Sequence, residues 1–212
     1  NISQIFLFDW AYAVYLKENV WLKMNIKDLL KRRMKVFYFR KNIKYIDLLT
    51  SQTEVIKNRI EKLYKIDGVK VIPNAVSIEN FEDTLNKKDF NLGDGIKLLY
   101  LTKYYSHKNL EIMIPLAKII KEKNLNYKII LTINPKNNKS AKIILEKIKK
   151  YGLEKVVLNI GNIDMKYVPS LYRQCQGLLM PTLLESFSGT YVEAMFHKIP
   201  IITSDKDFTR EI

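Results

Sequence analysis

Two glutamates, Glu185 and Glu193, flank a run of small residues that could bind a polar ligand. The apolar run from Gly177 to Met180 predicts a buried strand that Pro181 ends, and the amphipathic run from Thr190 to His197 predicts a helix. A loop between a strand and a helix N-terminus offers backbone N–H groups and a positive dipole end to an anion, typically a phosphate. Carboxylates do not bind phosphate, but they accept hydrogen bonds strongly from sugar hydroxyls. The segment therefore combines features that suit an anion with features that suit a sugar.

The same segment resembles a motif of a known enzyme family. Glu-Ser-Phe-Ser-Gly-Thr-Tyr-Val-Glu-Ala-Met at residues 185–195 is followed by Ile-Pro-Ile-Ile-Thr-Ser-Asp at residues 199–205. This pattern resembles the Glu-x7-Glu donor motif of retaining glycosyltransferases with the GT-B fold, and it is most similar to glycosyltransferase family 4 (group 1). Two glutamates eight residues apart also occur by chance, so the alternative is a pair of surface carboxylates on a Rossmann-type unit. Their position between a strand and a helix argues against chance.

The resemblance implies a role for each residue of the motif. Glu193 would accept hydrogen bonds from the ribose hydroxyls of the nucleotide, and Glu185 would contact hydroxyls of the donor sugar. The usual family loop reads Glu-Gly-Phe-Gly, so the serines at positions 186 and 188 leave the identity of the sugar open. The backbone N–H groups that would face the sugar and the two phosphates belong to Phe187, Ser188, Gly189 and Thr190.

Two lysines follow the first strand of the predicted donor domain. Lys103 comes directly after the strand Ile96 to Leu101, and Lys108 precedes the next helix. Cations there would stabilise the negative charge that develops on the departing diphosphate, which lowers the barrier. The family pattern is Gly-Arg-x4-Lys, and Thr102-Lys103 stands here where Gly-Arg is usual, so one bidentate contact is replaced by a point charge. The alternative is that both are ordinary surface lysines.

The turn after the strand Val156 to Ile160 is a candidate for contact with the nucleotide base. It begins Gly161-Asn162-Ile163. In relatives this turn contacts the base through backbone groups, so Gly161 and Ile163 are candidate donor-binding residues. A plain glycine turn is the competing interpretation.

Other motifs indicate neither a metal nor a cofactor. Asp205-Lys206-Asp207 has the Asp-x-Asp form that binds a metal in GT-A enzymes, but we interpret Asp205 as the cap of a following helix and expect no metal site. His107 and His197 are the two histidines, and we expect His197 at a solvent-facing helix end. The sequence contains neither Gly-x-Gly-x-x-Gly nor a Walker motif, which argues against NAD oxidoreductases and P-loop NTPases. The nucleotide-sugar would be a substrate, and no cofactor is expected.

Strands alternate with helices from about residue 96 onward, which predicts an α/β domain with a doubly wound, Rossmann-like parallel sheet. By the resemblance, residues 76–212 form the nucleotide-sugar donor domain without its C-terminal end. Residues 1–75 look like the incomplete C-terminal portion of an acceptor-side, Rossmann-like domain, and the boundary is expected within residues 73–95. The chain begins with Asn1 and stops inside a predicted helix, so we expect a fragment of a GT-B protein.

The formal net charge is +14, and the positive residues are concentrated near the start of the chain. Residues 17–44 contain ten Lys or Arg against Glu18 and Asp28. A helix is expected from about Trp21 to Tyr38, and a basic amphipathic helix of this kind can lie on an anionic membrane surface. The alternatives are a solvated helix face or nucleic acid, and we expect no nucleic-acid partner because no recognised binding module accompanies the charge. A single cysteine, Cys175, allows no internal disulfide and favours a cytoplasmic setting. The basic segment 17–44 would account for peripheral attachment to the inner face of the membrane.

These patterns together predict a retaining hexosyltransferase-type enzyme that moves a sugar from a nucleoside-diphosphate-sugar to a hydroxyl. A glycan or lipid-linked acceptor in surface polysaccharide synthesis is expected from the resemblance. A GT-B nucleotide-sugar epimerase remains an alternative, as does a non-catalytic module that binds a nucleotide or a membrane surface.

Overall fold

The structure, a computed structural model, describes residues 3–76, 87–136 and 138–211. The chain divides into two compact units. The first contains Asn1–Ala75, Leu183–Ser188 and Asp205–Ile212, and the second contains Val76–Thr182 and Gly189–Ser204. Two short segments near the C-terminus thus belong with the N-terminal residues, which differs from the contiguous division into 1–75 and 76–212. Part of the predicted boundary region, residues 77–86, lies outside the described residues.

The second unit is built on a five-stranded parallel sheet. Its strands lie in the order β6-β5-β4-β7-β8, and every pairing between neighbours is parallel. The chain starts at the central strand β4, moves outward through β5 and β6, and then returns to the other side of β4. With right-handed crossovers, this reversal places helices on both faces of the sheet. The strands are β4 (Ile96–Tyr100), β5 (Tyr127–Leu131), β6 (Val157–Asn159), β7 (Gly177–Met180) and β8 (Ile201–Thr203).

Four helices accompany this sheet, and their apolar faces supply its core. Leu99, Ile130 and Leu178 on the strands pack with Met113 and Ile144 on the helices. The burial of whole strands accounts for the continuous apolar runs that the sequence shows at these positions. The helices are α3 (Met113–Glu122), α4 (Lys139–Lys150), α5 (Val168–Arg173) and α6 (Gly189–Phe196).

The first unit has a three-stranded parallel sheet in the order β1-β2-β3. A helix follows each of the first two strands, and Thr53 caps the second helix by accepting a hydrogen bond from the Ile56 N–H. Phe8, Trp21, Ile56 and Ile60 are buried in its core. The elements are β1 (Ile5–Phe8), α1 (Ile26–Asn42), β2 (Leu48–Ser51), α2 (Glu54–Tyr64) and β3 (Lys70–Val71).

The last helix of the chain, α7 (Asp207–Arg210), is held to the first unit by charged hydrogen bonds. Asp207 accepts from Arg59 Nε at 2.6 Å and from the Tyr15 hydroxyl at 3.0 Å. Although burial raises the pKa of Asp207, these hydrogen bonds lower it more, so the pKa lies below its usual range. Phe208 is buried in the same core.

The interpretation of Asp205 as a helix cap was wrong. The N-cap of α7 is Lys206, whose backbone N–H donates to Thr209 Oγ1 at 3.2 Å. Asp205 instead accepts a hydrogen bond from Arg210 Nε at 2.8 Å. The exposed Asp205 is therefore paired with a charged side chain five residues later. The sequence pattern could not distinguish this pairing from a cap, because both partners lie close to Asp205 in the sequence.

Candidate functional site

A cavity of about 380 Å³ opens at the carboxyl ends of the strands of the second unit. This is where ligands bind in open α/β sheets, beside the point at which the strand order reverses. The volume falls in the usual range for small-molecule sites. The residues that line it come from the ends of β4, β5 and β6 and from α5 and α6: Leu101, Thr102, Lys103, Thr132, Asn162, Ile163, Met165, Val168, Thr190 and Glu193.

Side chains fix the strand ends that form this cavity. Thr132 Oγ1 accepts from the Thr102 N–H at 2.9 Å and donates to the Thr102 carbonyl at 3.0 Å, which joins the ends of β4 and β5. Asn159 Oδ1 accepts a hydrogen bond from the Ile133 N–H, and Asn159 Nδ2 donates one to the Ile133 carbonyl, both at 3.0 Å. These two bonds join the ends of β5 and β6. These bonds continue the sheet pairing beyond the strands, so the base of the cavity is held in place without a ligand.

Glu193 is the carboxylate of the cavity, and Tyr172 orients it. The Tyr172 hydroxyl donates to Glu193 Oε2 at 2.9 Å and lies 3.3 Å from the carbonyl oxygen of Thr190. Burial raises the pKa of Glu193, and the hydrogen bond from Tyr172 offsets part of this. Burial and the neighbouring Glu193 raise the pKa of Tyr172, so its hydroxyl remains a donor. The site thus contains a pre-positioned carboxylate that can accept hydrogen bonds from a ligand.

His197 lies behind this pair and is not the solvent-facing residue that the sequence predicted. Its ring stacks on Tyr172 with centroids 4.9 Å apart and planes 13° apart. Burial and the nearby Arg173 lower the pKa of His197. The helix dipole that would favour a charged histidine is therefore outweighed here by burial and by the positive charge of Arg173.

The two predicted lysines occupy different positions. Lys103 is exposed and lines the cavity, and it also lines a smaller neighbouring cavity of about 240 Å³. Lys108 lies in the 3₁₀ turn Ser106–Lys108, is half-buried, and does not line the larger cavity. Asn109, in the left-handed conformation with φ 55°, donates from Nδ2 to the carbonyl of Pro181 at 3.1 Å. This bond anchors the lysine loop to the end of β7.

The turn after β6 contributes one of its two predicted residues to the cavity. Ile163 lines it and packs against the core of the second unit. Gly161 has a φ of 72°, in the left-handed region that favours glycine. A Cβ added there would meet no heavy atom within 4 Å, so the backbone conformation and not crowding favours glycine.

The segment from Glu185 to Glu193 is divided between the two units. Glu185, Phe187 and Ser188 belong to the first unit, and Gly189, Thr190 and Glu193 belong to the second, where Gly189 begins α6. Glu185 and Ser188 are buried. Within the first unit, the Ser186 hydroxyl donates to the Asp9 carbonyl at 2.9 Å, which fixes the segment around Glu185.

Sequence reasoning did not single out Thr132, Met165 or Val168, which line the cavity, or Tyr172, which orients Glu193. Thr132 ends a predicted strand, a position that could have pointed to it. Tyr172 gives no such signal because it lies 21 residues before its partner Glu193 in the sequence. Only the packing of α5 against α6 brings the two together.

A second cavity of the same unit is larger, about 600 Å³, but suits a ligand less well. It lies along the solvent side of α4, where Lys142, Glu146 and Lys149 line it. We favour the smaller cavity as the functional site because strand ends converge there and it contains Glu193, a half-buried carboxylate with a raised pKa. Among the described residues, no group of three or more His, Cys, Asp or Glu side chains could hold a metal ion.

Comparison with known proteins gives a family match over the second half of the chain. The family described as "Glycosyl transferases group 1" matches residues 81–212. A protein of Klebsiella pneumoniae, described as an uncharacterized 41.2 kDa protein in the cps region, is 27% identical over 192 residues. The alignment covers 85% of this chain and 49% of that protein. The chain spans about half the length of the curated relatives it matches.

Solved structures resemble the chain over nearly all of its length. Sucrose-phosphate synthase from Thermosynechococcus elongatus aligns with a TM-score of 0.73 at 16% identity, over 99% of this chain and 52% of that one. HepE from Anabaena, solved in complex with UDP-glucose, aligns with a TM-score of 0.69 at 14% identity, over 99% of this chain and 55% of that one. At such identities the likeness concerns the fold alone. The fold and the family match together establish that the chain has the GT-B fold and belongs to the group 1 glycosyltransferases.

Proposed function

We propose that the second unit binds a nucleoside-diphosphate-sugar, and that the protein transfers the sugar with retention to a hydroxyl of a glycan or lipid-linked acceptor. The observation that carries the proposal is Glu193, held by Tyr172 inside the cavity at the strand ends. A carboxylate in this position suits the two neighbouring hydroxyls of a ribose, each of which can donate to it. Family membership supports the same assignment.

The remaining residues of the cavity suit the other parts of such a donor. Lys103 supplies a positive charge for the diphosphate, and Thr190 lies in the first turn of α6, where backbone N–H groups favour an anion. Ile163 and Met165 offer apolar contact for the base. We assign Lys108 to the distal phosphate and Glu185 to the sugar, both by resemblance to the family motif. Phe187, Ser188, Gly189 and Gly161 complete the assignment through their backbone groups.

Catalysis would then consist mainly of positioning and of stabilising the leaving diphosphate. The lysines would compensate the charge that develops as the bond between sugar and phosphate breaks. We propose that neither a metal nor a cofactor takes part, and that the reaction occurs in the cytoplasm. A relative in the cps region of Klebsiella pneumoniae supports a role in surface polysaccharide synthesis.

Thermal unfolding in the presence of UDP, GDP, ADP and CDP tests the donor site. A diphosphate at about 100 times its dissociation constant adds about 2.7 kcal/mol to the stability of the folded state. We expect one of the four to stabilise the chain, and Glu193→Gln to abolish most of that effect. Glu122→Gln, a matched change on the exposed end of α3, should leave it intact.

Two outcomes would contradict the proposal. The first is a folded protein that none of the four diphosphates stabilises. The second is equal stabilisation of the wild type and Glu193→Gln by the same nucleotide. If binding is present but incubation with the donor alone yields an epimer, the protein is an epimerase and the transferase proposal fails.

A further inference from the structure

Helix α1 of the first unit has two apolar faces, and only one of them packs against the core. Val36 is buried on the inner face, and Leu29 and Phe39 pack beside it. These positions recur every three or four residues, as expected for one side of a helix. The inner face therefore accounts for how α1 is held, and it leaves the apolar residues of the outer face unexplained.

The outer face of α1 carries a continuous apolar stripe. Its five large residues are between 57% and 75% exposed. Successive members lie three or four positions apart or are adjacent, so they share one side of the helix. Leu22, shortly before the helix, is 86% exposed. The stripe, which we call the outer stripe, consists of Ile26, Leu30, Met34, Phe37 and Tyr38.

Positive residues border the outer stripe on both sides. With about 100° of rotation per residue, Arg33 and Arg40 fall on one edge, Lys31 and Lys35 fall on the other, and Lys27 falls within the arc of the stripe. The Arg33 guanidinium lies 4.4 Å from the centre of the Trp21 ring, which fixes that edge against the unit. All five of these positive residues are exposed.

The single acidic residue of α1 does not neutralise this face. Asp28 takes part in the helix N-cap: its N–H donates to Asn25 Oδ1 at 2.9 Å, and its carboxylate accepts from Asn25 Nδ2 at 2.8 Å. The helix carries seven Lys or Arg against this one acid. Its outer face is therefore both apolar and strongly positive.

We propose that the outer face of α1 docks on the surface of an anionic lipid bilayer. The outer stripe would enter the boundary between head groups and acyl chains, while the bordering lysines and arginines contact lipid phosphates. The positive charge favours an anionic lipid surface over two other partners. A second copy of the chain would present the same positive face and be repelled. A partner that buried this face in a protein core would have to bury charged side chains without partners. The inference goes beyond the donor site and does not depend on it.

The dimensions of α1 suit a helix that lies flat on the membrane. Its 17 residues span about 25 Å at 1.5 Å per residue. Within the described part of the chain, no helix is long and apolar enough to cross a bilayer. The outer face would thus attach the first unit to the surface without inserting it.

Co-sedimentation of the 212-residue chain with lipid vesicles tests the proposal. We expect binding to vesicles of phosphatidylglycerol and phosphatidylcholine, and little binding to phosphatidylcholine alone. The variant Leu30→Ser/Phe37→Ser removes apolar area, and Lys31→Glu/Lys35→Glu reverses two border charges. Each should weaken binding about tenfold or more, because both contributions act together.

The matched control is Lys147→Glu/Lys150→Glu, which makes the same charge change on the exposed side of α4. It should bind vesicles like the wild type, and thermal unfolding should show that all variants remain folded. Loss of binding in the control as much as in Lys31→Glu/Lys35→Glu would mean unspecific charge attraction and overturn the proposal. So would unchanged binding by Leu30→Ser/Phe37→Ser, or a wild type that binds nucleic acid or its own copies through this face but not anionic vesicles.

Discussion

The two units use similar parallel sheets but are assembled from the sequence in different ways. In the second unit, strands and helices alternate along the chain, β7 returns to pair with β4, and the core forms among residues 90–201. The first unit depends on residues far away in sequence, since Leu184 and Phe208 enter its core beside Phe8 and Tyr15. A local pattern can therefore predict the second unit well, whereas the first depends on contacts that the pattern does not contain.

The polar groups of the two units also differ, because those of the second unit surround a cavity and those of the first hold a helix in place. In the second unit, polar residues at the strand ends surround a cavity, and Glu193 has a raised pKa there. In the first unit, the partly buried polar cluster of Tyr15, Arg59 and Asp207 holds α7 in place, and the pKa of Asp207 is lowered. A raised carboxylate pKa costs stability and suggests a ligand site, while a lowered one contributes stability and indicates a structural role.

The largest effect is expected from Phe208→Ala, which breaks the long-range part of the first unit. Phe208 is buried and meets the Tyr15 ring edge-on at 6.0 Å. Truncating a buried Phe costs about 3–5 kcal/mol. Urea unfolding should show this loss in the transition of the first unit. Phe37→Ala, the same change on an exposed residue, should cost far less. Equal costs for the two variants would mean that α7 is not part of the core.

The next largest effect is expected from Glu193→Gln, and it concerns binding. Losing a hydrogen bond to a charged group costs about 1.5–3 kcal/mol, so nucleotide affinity should fall by about tenfold or more. Without ligand, the second unit should be at least as stable as before, because a half-buried carboxylate with a raised pKa destabilises it at neutral pH. Calorimetric titration and urea unfolding measure the two effects. A loss of stability together with unchanged affinity would make Glu193 a structural residue.

A smaller effect is expected from Asp207→Asn in the first unit. The change removes the ionic part of the bond to Arg59, and partial exposure of both side chains limits the cost to about 1–2 kcal/mol. Because the pKa of Asp207 is lowered, its contribution is present above the ordinary Asp range and is lost as the pH falls through the folded value. Unfolding of wild type and variant should therefore converge in acid. Asp205→Asn, an exposed control, should change stability little at any pH.

The smallest effect is expected from Tyr172→Phe, which keeps the stacked ring but removes the hydroxyl that orients Glu193. One hydrogen bond is worth about 1 kcal/mol, so nucleotide affinity should fall about fivefold at neutral pH. Since that bond lowers the pKa of Glu193, the midpoint of binding against pH should move upward. Tyr151→Phe on the surface should change neither quantity. A lower affinity with an unmoved midpoint would assign Tyr172 a packing role only.

Local pattern predicted the elements of the second unit closely. The strand Gly177–Met180 and the start of α6 at Gly189 lie where the apolar runs and the proline indicated. The start of α1 was wrong: Trp21 was expected in the helix, but Asn25 caps it and Trp21 lies in a preceding 3₁₀ turn. The side chain of Asn25 satisfies the Asp28 N–H, and this local bond outweighs the apolar periodicity that extends further back.

The residues of the candidate site also differ in whether the sequence could predict them. One cavity is lined by Lys103, Ile163, Thr190 and Glu193, because each of them follows or faces the end of a strand. The order of strands and helices along the sequence is enough to predict that these residues lie at the same edge of the sheet. Tyr172 could not be predicted, because its contact with Glu193 depends on how α5 packs on α6. The neutral, stacked His197 escaped prediction for the same reason.

The most direct test of the donor site is the affinity for the preferred nucleoside diphosphate measured by calorimetry across pH, in wild type and Glu193→Gln. Ionised Glu193 is the better acceptor for ribose hydroxyls, so wild-type affinity should rise with pH through the raised pKa of Glu193 and then level off. Glu193→Gln should bind weakly and without that rise. A wild type and a variant with the same affinity and the same pH profile would contradict the central claim that Glu193 binds the donor nucleotide.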